Sequence, residues 1–309
     1  MATQTYASLT NEQKTFYNKV LLKRLIPSLQ FYKYGQKKPA PKREGDTVNF
    51  RRFNSLAAAT TALTEGTVPT GNSLNITAVT GTVKQYGDFI EISDKLDMVG
   101  IDPVLTETSE ILGEQAALTI DSVIRDVVSS GTNVIYGGDA TSTTTLATGD
   151  NINSTLIMKA VRALRRSNAK PLEGGYYVGI VHPDVAFDIM KDSLWQDVSK
   201  YNGGTAIMKG EIGKLGGVRF IESTNAKKKD NGASSGAVDV YCTMILSKDA
   251  YGVVDIDGSS KPEMIIKDFG SAGTADPLNQ KATSGWKALF TAVRLNELSV
   301  VRIETTATV

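Results

Sequence analysis

Few residues of this chain could carry out covalent or metal chemistry. Its 309 residues include one histidine, His182, and one cysteine, Cys242. One residue of each type cannot build a Cys/His zinc site, and a lone cysteine excludes an intramolecular disulfide. A Cys-His pair requires these two residues to meet, and a Ser-His-Asp triad has to use this one imidazole. Most familiar catalytic arrangements are therefore excluded.

His182 is expected to be a structural residue. It separates a predicted strand, 176–181, from Pro183, where a helix is predicted to begin. An imidazole at such a position commonly satisfies the free backbone groups of a turn or of a helix end. A soluble α+β enzyme with His182 as its base is the alternative from a different functional class.

A group of glycines superficially resembles a phosphate-binding loop: Gly210, Gly213, Gly216 and Gly217. A dinucleotide-binding loop leads from a strand into a helix, whereas the residues that follow here, 218–222, are typical of a strand. The Walker pattern also fails, because no serine or threonine follows Lys214. We expect tight bends at these glycines rather than a nucleotide site.

Two pairs of aspartates are candidates for calcium binding or acid-base chemistry, Asp255 with Asp257 and Asp268 with Asp276. Neither pair has the ligand spacing of a calcium loop, so ordinary turn aspartates are the favoured interpretation. We therefore predict no catalytic residue, no cofactor and no metal site.

Composition and charge limit the remaining functions. Hydrophobic residues make up 41% of the chain and charged residues 22%, and the mean hydropathy is -0.14. No apolar run reaches the roughly 20 residues of a membrane helix. The net charge is +1, but residues 1–52 contain eleven basic and three acidic residues, a net charge of +8, which leaves −7 for the rest. This asymmetry favours an N-terminal arm that lies on an acidic partner, either another copy or nucleic acid.

The N-terminal region is predicted to be a helix followed by an irregular arm. Thr10 and Gln13 form a capping box, and the apolar residues of 16–25 recur at helical spacing until Pro27. Residues 31–44 combine lysines with a glycine and two prolines, which indicates an extended arm without its own core. A secretory signal is not evident, so folding in the cytoplasm is the default expectation.

Two extended runs predict a β-ribbon. Residues 47–53 alternate apolar and polar side chains, and residues 74–92 form a second long run. The small residues, glycines and proline of 56–72 suit a long hairpin tip. An isolated ribbon is marginal in water and needs another surface to rest on. Two ordinary strands of an internal sheet are the alternative.

The remainder predicts an α+β fold that contains one long helix. The helix starts at Asp102 and Pro103 and ends near Gly131. Residues 137–150 and 226–236 are predicted loops, and Ser154 is the predicted cap of the next helix. The other predicted elements are a helix over 184–191, strands over 176–181, 218–222, 238–246 and 264–266, and β-type runs over 286–304.

Several blocks, taken in order, resemble the major capsid proteins of tailed bacteriophages, which have the Hong Kong 97 fold. The clearest block runs from Pro262 to Lys281 and is followed by Gly285-Trp286-Lys287; the others are Gly45 to Val48 with Arg51 and Arg52, Leu63 to Gly66, and Gly213 to Ser223. Lys281 stands where an arginine is expected, which keeps the charge. The resemblance spans nearly the whole chain.

The resemblance implies an N-terminal arm over 1–45, an extended loop over 46–92, a peripheral domain over 93–139 and 271–309, and an axial domain over 140–270. It implies self-assembly as hexamers and pentamers into an icosahedral shell around double-stranded DNA. Implied partners are a portal and scaffold or decoration proteins, with assembly in the bacterial host cytoplasm. A nanocompartment shell of the same fold is the alternative.

The same blocks contain the predicted subunit-interface residues: Arg51, Arg52, Glu65, Gly66, Asp276, Gln280 and Lys281. We expect Arg51 and Arg52 to face acidic partners such as Glu65 on another copy. Solvent-exposed charges on the ribbon are the alternative interpretation.

Overall fold

A computed structural model describes residues 30–40, 43, 45–99, 104–172, 174–195, 211–232, 238–256, 262–271, 273 and 276–308. The predicted helix over 10–27 lies outside these residues, as do the predicted helix start at Asp102 and Pro103 and the aspartate Asp257.

Five α-helices have both ends in the described part of the chain: α1 Gln30–Tyr34, α2 Asp94–Val99, α3 Val104–Ser129, α4 Ser154–Arg166 and α5 Pro183–Lys191. The long helix predicted from residue 102 onward is α3, and its 26 residues span about 39 Å. Short 3-10 helices lie at Thr143–Thr145 and Glu297–Ser299.

The strands in these ranges are β1 Gln36–Ala40, β2 Thr47–Phe53, β3 Ile76–Thr82, β4 Lys84–Ser93, β5 Val134–Tyr136, β6 Tyr177–Val181, β7 Glu211–Leu215, β8 Val218–Glu222, β9 Lys228–Gly232, β10 Val238–Leu246, β11 Tyr251–Ile256, β12 Glu263–Lys267, β13 Lys281–Arg294 and β14 Val300–Thr305. Strands and helices are thus mixed along the chain, as the sequence predicts.

The first sheet, sheet 1, is built around β13. This 14-residue strand pairs with β4 on one side and with β11 and then β12 on the other, in every case antiparallel. β1 runs parallel to β11 at the outer edge of the sheet. A long central strand therefore holds segments from the whole length of the chain together.

The second sheet, sheet 2, has the order β5-β14-β10-β6-β8-β7, and β9 also pairs with β10. β6 and β8 are parallel, whereas β10 pairs antiparallel with both β6 and β14. Its central strands, such as β6, are buried on both faces, which explains their continuous apolar sequences.

Helix α3 lies between the two sheets and forms the main core. Leu112, Ala116 and Ile120 on its buried face belong to one cluster with Trp286 of sheet 1 and Met244 of sheet 2. Alternate residues of β13 are buried on the helix side, as expected for a strand with one covered face.

A second core lies on the opposite face of sheet 2, under α4 and α5. Ile157 and Leu164 of α4 and Ile189 of α5 pack there on Phe220 and Ile303 of the sheet. Each helix begins with a side-chain cap that fixes its start.

Three local predictions are wrong. The cap of α4 is Asn153, whose Oδ1 accepts from Leu156 N at 2.9 Å, and not Ser154. Residues 226–236 are not only a loop, because β9 forms within them and pairs with β10. Residues 31–44 are not an irregular arm without a core, since α1 buries Phe31 and β1 joins sheet 1.

The domain boundaries inferred from the resemblance stay a prediction. Sheet pairing crosses the boundary placed between 270 and 271, because β11 and β12 both hydrogen-bond to β13. β14 pairs with β10 in sheet 2. The C-terminal strands therefore contribute to both sheets.

Candidate assembly surfaces

The predicted ribbon is confirmed as a separate two-stranded sheet. β2 and β3 pair antiparallel from Thr47 opposite Thr82 to Phe53 opposite Ile76. The predicted second run is divided at Val83, after which β4 leaves the ribbon and joins sheet 1. The alternative of two strands within an internal sheet is wrong.

Among the described residues, the ribbon contacts the rest of the chain at its base alone. Val48, Phe50 and Val83 form a small buried cluster with Val254 of β11 and Ala40 of β1. Phe50 lies against Gly252, where an added Cβ would come within 2.4 Å of the ring. Lys38 Nζ also donates to Asn49 O at 2.7 Å. A glycine at 252 is thus required for the ribbon to seat.

Beyond its base, the ribbon exposes large apolar side chains. Val68 is 91% exposed, and the others are Phe53, Leu56, Leu63, Leu74 and Ile76. The tip between Asn54 and Asn75 is closed at its root by the hydrogen bond from Asn54 N to Asn75 O, 2.9 Å. Scattered exposed apolar residues are normal, but a concentration of this kind marks an interaction site.

Arg51 and Arg52 are both exposed on β2, with Ala78 and Thr77 as their cross-strand neighbours. Because side chains alternate along a strand, the two arginines point to opposite faces of the ribbon. In the described part of the chain neither forms an ion pair. The two arginine side chains can therefore contact two different surfaces, one on each face of the ribbon.

Glu65 and Gly66 lie in a turn at the exposed tip. Thr67 N donates to Thr64 O at 3.2 Å, and Gly66 has φ of 77°, a conformation that favours glycine. The Glu65 side chain is exposed, and it lies in the middle of the tip along the chain, whereas Arg51 and Arg52 precede the tip on β2.

Asp276, Gln280 and Lys281 are brought together in the turn that precedes β13. Asp276 Oδ2 accepts from Lys281 N at 2.7 Å, Gln280 O accepts from Asp94 N at 3.0 Å, and Lys281 Nζ lies 3.3 Å from Glu91 Oε2. Leu278 in the same turn is exposed. These hydrogen bonds and this ion pair within the chain give the turn a defined shape.

Sheet 1 exposes a large apolar side chain, that of Phe89, on the face turned away from α3. Phe89 of β4 is 61% exposed and lies across from Gly285 of β13. Two ion pairs flank it, Lys287 Nζ to Glu263 Oε2 at 3.2 Å and Lys281 to Glu91. Sequence analysis missed this exposed side chain, and the available signal was that Phe89 alternates along β4 with Gly87 and Glu91 on the same strand face.

His182 has a structural role, as predicted. Its Nδ1 accepts from Asp184 N at 3.3 Å as the cap of α5, and its ring centroid lies 4.9 Å from that of Tyr241, with the two ring planes tilted by 44°. Cys242 follows Tyr241 on β10, so its side chain points to the other face of the sheet and the Cys-His pair does not form. Burial and then the Glu304 charge raise the pKa of Cys242 to about 11.

The glycine cluster forms a tight hairpin between β7 and β8, not a phosphate loop. Gly216 and Gly217 have φ of 60° and 92°, and they connect Leu215 to its cross-strand partner Val218. Gly210 lies outside the described residues. The prediction of a tight bend is confirmed, although the strand that leads into it was not predicted.

Glu304 is a buried carboxylate that sequence analysis missed. It has no exposed side-chain surface and accepts from Lys229 Nζ at 2.5 Å and from Thr143 Oγ1 at 2.6 Å, and Arg302 Nε lies 2.7 Å away. Burial raises its pKa, but these hydrogen bonds and positive charges outweigh burial and hold the pKa below the usual value. The group joins β9, β14 and the 143–145 turn.

Asp121 is a second buried carboxylate, in the middle of α3. Its Oδ1 accepts from Phe31 N at 2.8 Å and its Oδ2 from Asn225 Nδ2 at 2.9 Å. The pKa of Asp121 is raised above its usual value, because the effect of burial is larger than the opposite effect of these hydrogen bonds. The carboxylate fixes α1 and the 223–226 turn to the long helix. An acidic residue inside an apolar helical run was its available signal.

Candidate metal ligands do not cluster among the described residues. Within the same residues, no helix has the length and apolar character needed to cross a bilayer.

A family model described as phage capsid protein matches residues 76–303. No curated protein matches the chain.

Solved capsid structures are similar to this chain over most of its length. The capsid of Ralstonia phage GP4 has a TM-score of 0.69 at 16% identity, over 89% of this chain and 88% of that one. The Helicobacter pylori bacteriophage KHP30 capsid has a TM-score of 0.69 at 12% identity, over 90% and 91%. For the cyanophage Pam1 capsid the values are 0.68, 13%, and 92% of both chains. The predicted α+β fold of the Hong Kong 97 class is therefore confirmed.

Proposed function

This chain belongs to the phage capsid protein family, and we propose that it self-assembles as hexamers and pentamers into an icosahedral shell around the double-stranded DNA of a tailed bacteriophage. Its role is structural, and the interpretation as an enzyme that uses His182 is not favoured.

The β-ribbon carries this proposal. Among the described residues it is anchored only at its base, and it presents six large apolar side chains to solvent. Such a concentration of exposed apolar side chains is not expected of a protein that functions as a monomer.

The subunit contacts are assigned to two regions. Arg51 and Arg52 on opposite ribbon faces, together with Glu65 and Gly66 at the tip, would contact neighbouring copies. The turn of Asp276, Gln280 and Lys281, with its exposed Leu278 and the nearby exposed Phe89, supplies a surface of mixed charge and apolar character that suits such a ribbon. A shell of identical subunits needs two different complementary surfaces of this kind on each copy.

In the proposed shell each subunit is divided into the predicted N-terminal arm, extended loop, peripheral domain and axial domain. The axial domains meet at the centres of the hexamers and pentamers. A nearly neutral chain suits a container, because a uniformly basic wall would hold packaged DNA tightly. A portal, a scaffold or decoration proteins are the further partners, and assembly would take place in the host cytoplasm.

Deletion of the ribbon tip tests this function. The variant lacks Ala57 to Asn72 and carries Asn-Gly in their place, a pair that closes a two-residue hairpin. We expect an unchanged melting temperature, because the tip contacts little of its own chain, and a loss of particles in electron micrographs. Normal shells from the deletion variant would refute the proposed role of the ribbon.

The cargo is tested separately on particles of the full chain recovered from infected cells. A high ratio of absorbance at 260 nm to that at 280 nm, removed by disrupting the particles and adding nuclease, is expected for a genome container. Particles filled with protein instead would support the nanocompartment alternative.

A further inference from the structure

Helix α4 presents four basic side chains on its outer face. Lys159, Arg162, Arg165 and Arg166 are all exposed, whereas Ile157 on the opposite side is buried in the second core. At 3.6 residues per turn the four basic residues lie within about 120° of the helix circumference. We call these four residues the α4 basic face.

The positive charge of this face is not balanced within its own segment. Residues 154–172 contain five basic residues, the fifth being Lys170, and no acidic residue. In the described part of the chain, none of the α4 basic face forms an ion pair. The basic run 227–229 differs, because each of its lysines is paired with a carboxylate of the same chain.

The hairpin between β7 and β8 extends the basic surface beyond the helix. Arg165 lies over its turn, where a Cβ added to Gly217 would be 3.3 Å from Arg165 Nη2. Gly217 O accepts from Tyr177 N at 3.0 Å, which places the start of β6 beside the same turn. Lys214 Nζ lies 4.5 Å from the ring centroid of Tyr176 there. A fifth cation is therefore held next to the α4 basic face.

The electrostatics of α4 itself explain only part of this arrangement. Arg165 and Arg166 lie in its last turn, where cations offset the negative end of the helix dipole. Lys159 and Arg162 precede that turn, so the dipole does not account for them. Asp192 lies at the other end of the helix, where its Oδ2 accepts from Ser154 N at 2.8 Å, more than one turn before Lys159.

We propose that the α4 basic face contacts the phosphate backbone of packaged double-stranded DNA and thus lies on the inner wall of the shell. This inference rests on the proposed function. Lys159 and Arg166 are seven residues, or about 10.5 Å, apart along the helix. One DNA strand carries a phosphate about every 3.4 Å of duplex axis, so the face matches about three phosphates. Guanidinium groups also bind phosphate through two parallel hydrogen bonds.

DNA is favoured over an acidic surface of another protein by the composition of the face. Met158 is the large apolar side chain that α4 exposes. Protein interfaces have an apolar centre and few lysines, whereas protein–DNA interfaces are more polar and strongly positive. Contacts to phosphate carry no base-sequence information, which suits a container for a whole genome.

Charge removal tests the inference on unassembled subunits of the full chain. The variant carries Lys159→Gln, Arg162→Gln and Arg166→Gln, because glutamine has a helix propensity close to that of lysine and arginine. Binding to a short DNA duplex of mixed sequence is measured by fluorescence anisotropy at several salt concentrations. The slope of log K against log salt should become shallower by about 2.7, since each lost phosphate contact removes about 0.9.

The matched control removes the same charge at exposed positions on α1, α2 and β12, with Lys33→Gln, Lys95→Gln and Lys267→Gln. Its slope should equal that of the parent chain. Equal slopes in the two variants would overturn the proposal. An α4 variant with the slope of the parent chain that also fails to form particles would assign the face to an acidic surface of a neighbouring copy, and would overturn it too.

Chemical footprinting on particles of the parent chain gives a second measurement, which holds even if the α4 variant does not fold. Acetylation of Lys159 is followed by peptide mass spectrometry in DNA-filled particles and in particles emptied of DNA. We expect a several-fold slower reaction in the filled particles. Equal rates would overturn this inference and leave the proposed shell intact. If the parent chain forms no particles, the proposed function fails, and the inference fails with it.

Discussion

Trp286 shows how one side chain couples the central strand of sheet 1 to the long helix. It is 4% exposed, and its Nε1 donates to Gln115 Oε1 at 3.0 Å. Trp286→Ala should lower the free energy of unfolding by about 3 to 5 kcal/mol, because it opens a cavity in the main core. Denaturant unfolding provides the measurement.

Phe89→Ala is the matched control for Trp286→Ala. Phe89 lies on the neighbouring strand of the same sheet but on the exposed face. It should cost less than about 1 kcal/mol. Equal losses in the two variants would mean that the two faces of sheet 1 are not buried as described.

Glu304 predicts a pH dependence of stability. Its pKa is lower in the folded chain than the usual 4.5, so the unfolded chain binds the proton more tightly. The stabilisation is complete above pH 4.5 and is lost as the pH falls through the lower folded-state pKa. Glu304→Gln should flatten this acid limb in urea unfolding measured from pH 7 to pH 3.

At pH 7 the same variant should be less stable by about 3 to 5 kcal/mol, because Lys229 and Arg302 lose their shared counter-charge in a mostly buried site. Glu263→Gln removes a carboxylate from the exposed pair with Lys287 and should cost about 0 to 1 kcal/mol. A steep acid limb retained in Glu304→Gln would show that other carboxylates control acid unfolding.

At the scale of single residues, the sequence allowed the role of His182 to be predicted, but it did not show which carboxylates are buried. The position of His182 between a strand and a proline was enough to predict a helix cap. The roles of Asp121 and Glu304 could not be predicted, because their partners Phe31, Asn225, Lys229 and Thr143 come from distant parts of the chain.

At the scale of elements, Gly252 allows the base of the ribbon to pack on β11. A methyl group at this position would come within 2.4 Å of the Phe50 ring, so Gly252→Ala should displace the base of the ribbon. We expect faster hydrogen exchange at the backbone amides of β2 and β3 and weaker assembly. The exchange rates are measured by mass spectrometry.

Gly71→Ala is the control, because no other group lies within 4 Å of a methyl group built there. It should leave exchange in β2 and β3 unchanged. If Gly252→Ala also leaves the rates unchanged, the contact between Phe50 and β11 does not hold the ribbon.

Long, regular elements were predictable, whereas elements that depend on distant pairing were not. The ribbon and α3 follow from local periodicity, and β6 and β10 follow from their mainly apolar sequences. β9 has the sequence Lys-Lys-Asp-Asn-Gly and forms because β10 offers it a partner. β1, with two lysines and a proline, likewise depends on β11, and its pairing could not be inferred from its own residues.

For the whole molecule, the charges of the ribbon predict how assembly responds to salt. Arg51→Glu combined with Arg52→Glu should weaken assembly at low salt and reduce its salt sensitivity, because both side chains are exposed and without an ion-pair partner in the described part of the chain. Sedimentation profiles at low and high salt measure the effect.

Arg51→Lys combined with Arg52→Lys preserves the charge and is the control. It should retain most of the assembly, with some loss if either guanidinium makes bidentate contacts. A sedimentation profile of the glutamate variant that equals that of the parent chain at every salt concentration would contradict the assignment of these arginines to the subunit interface.

The outer strands of sheet 1 affect how the protein can aggregate. Among the described residues, β1, β4 and β12 each have one side without a hydrogen-bonded partner strand, and each contains charged residues. These residues are Lys37 and Lys38 of β1, Lys84, Asp88 and Glu91 of β4, and Glu263 and Lys267 of β12. β1 also contains Pro39. Such edges resist the addition of further strands from other molecules. At high protein concentration, growth into amyloid-like fibres is thereby suppressed, and association is directed to side-chain surfaces whose geometry can close.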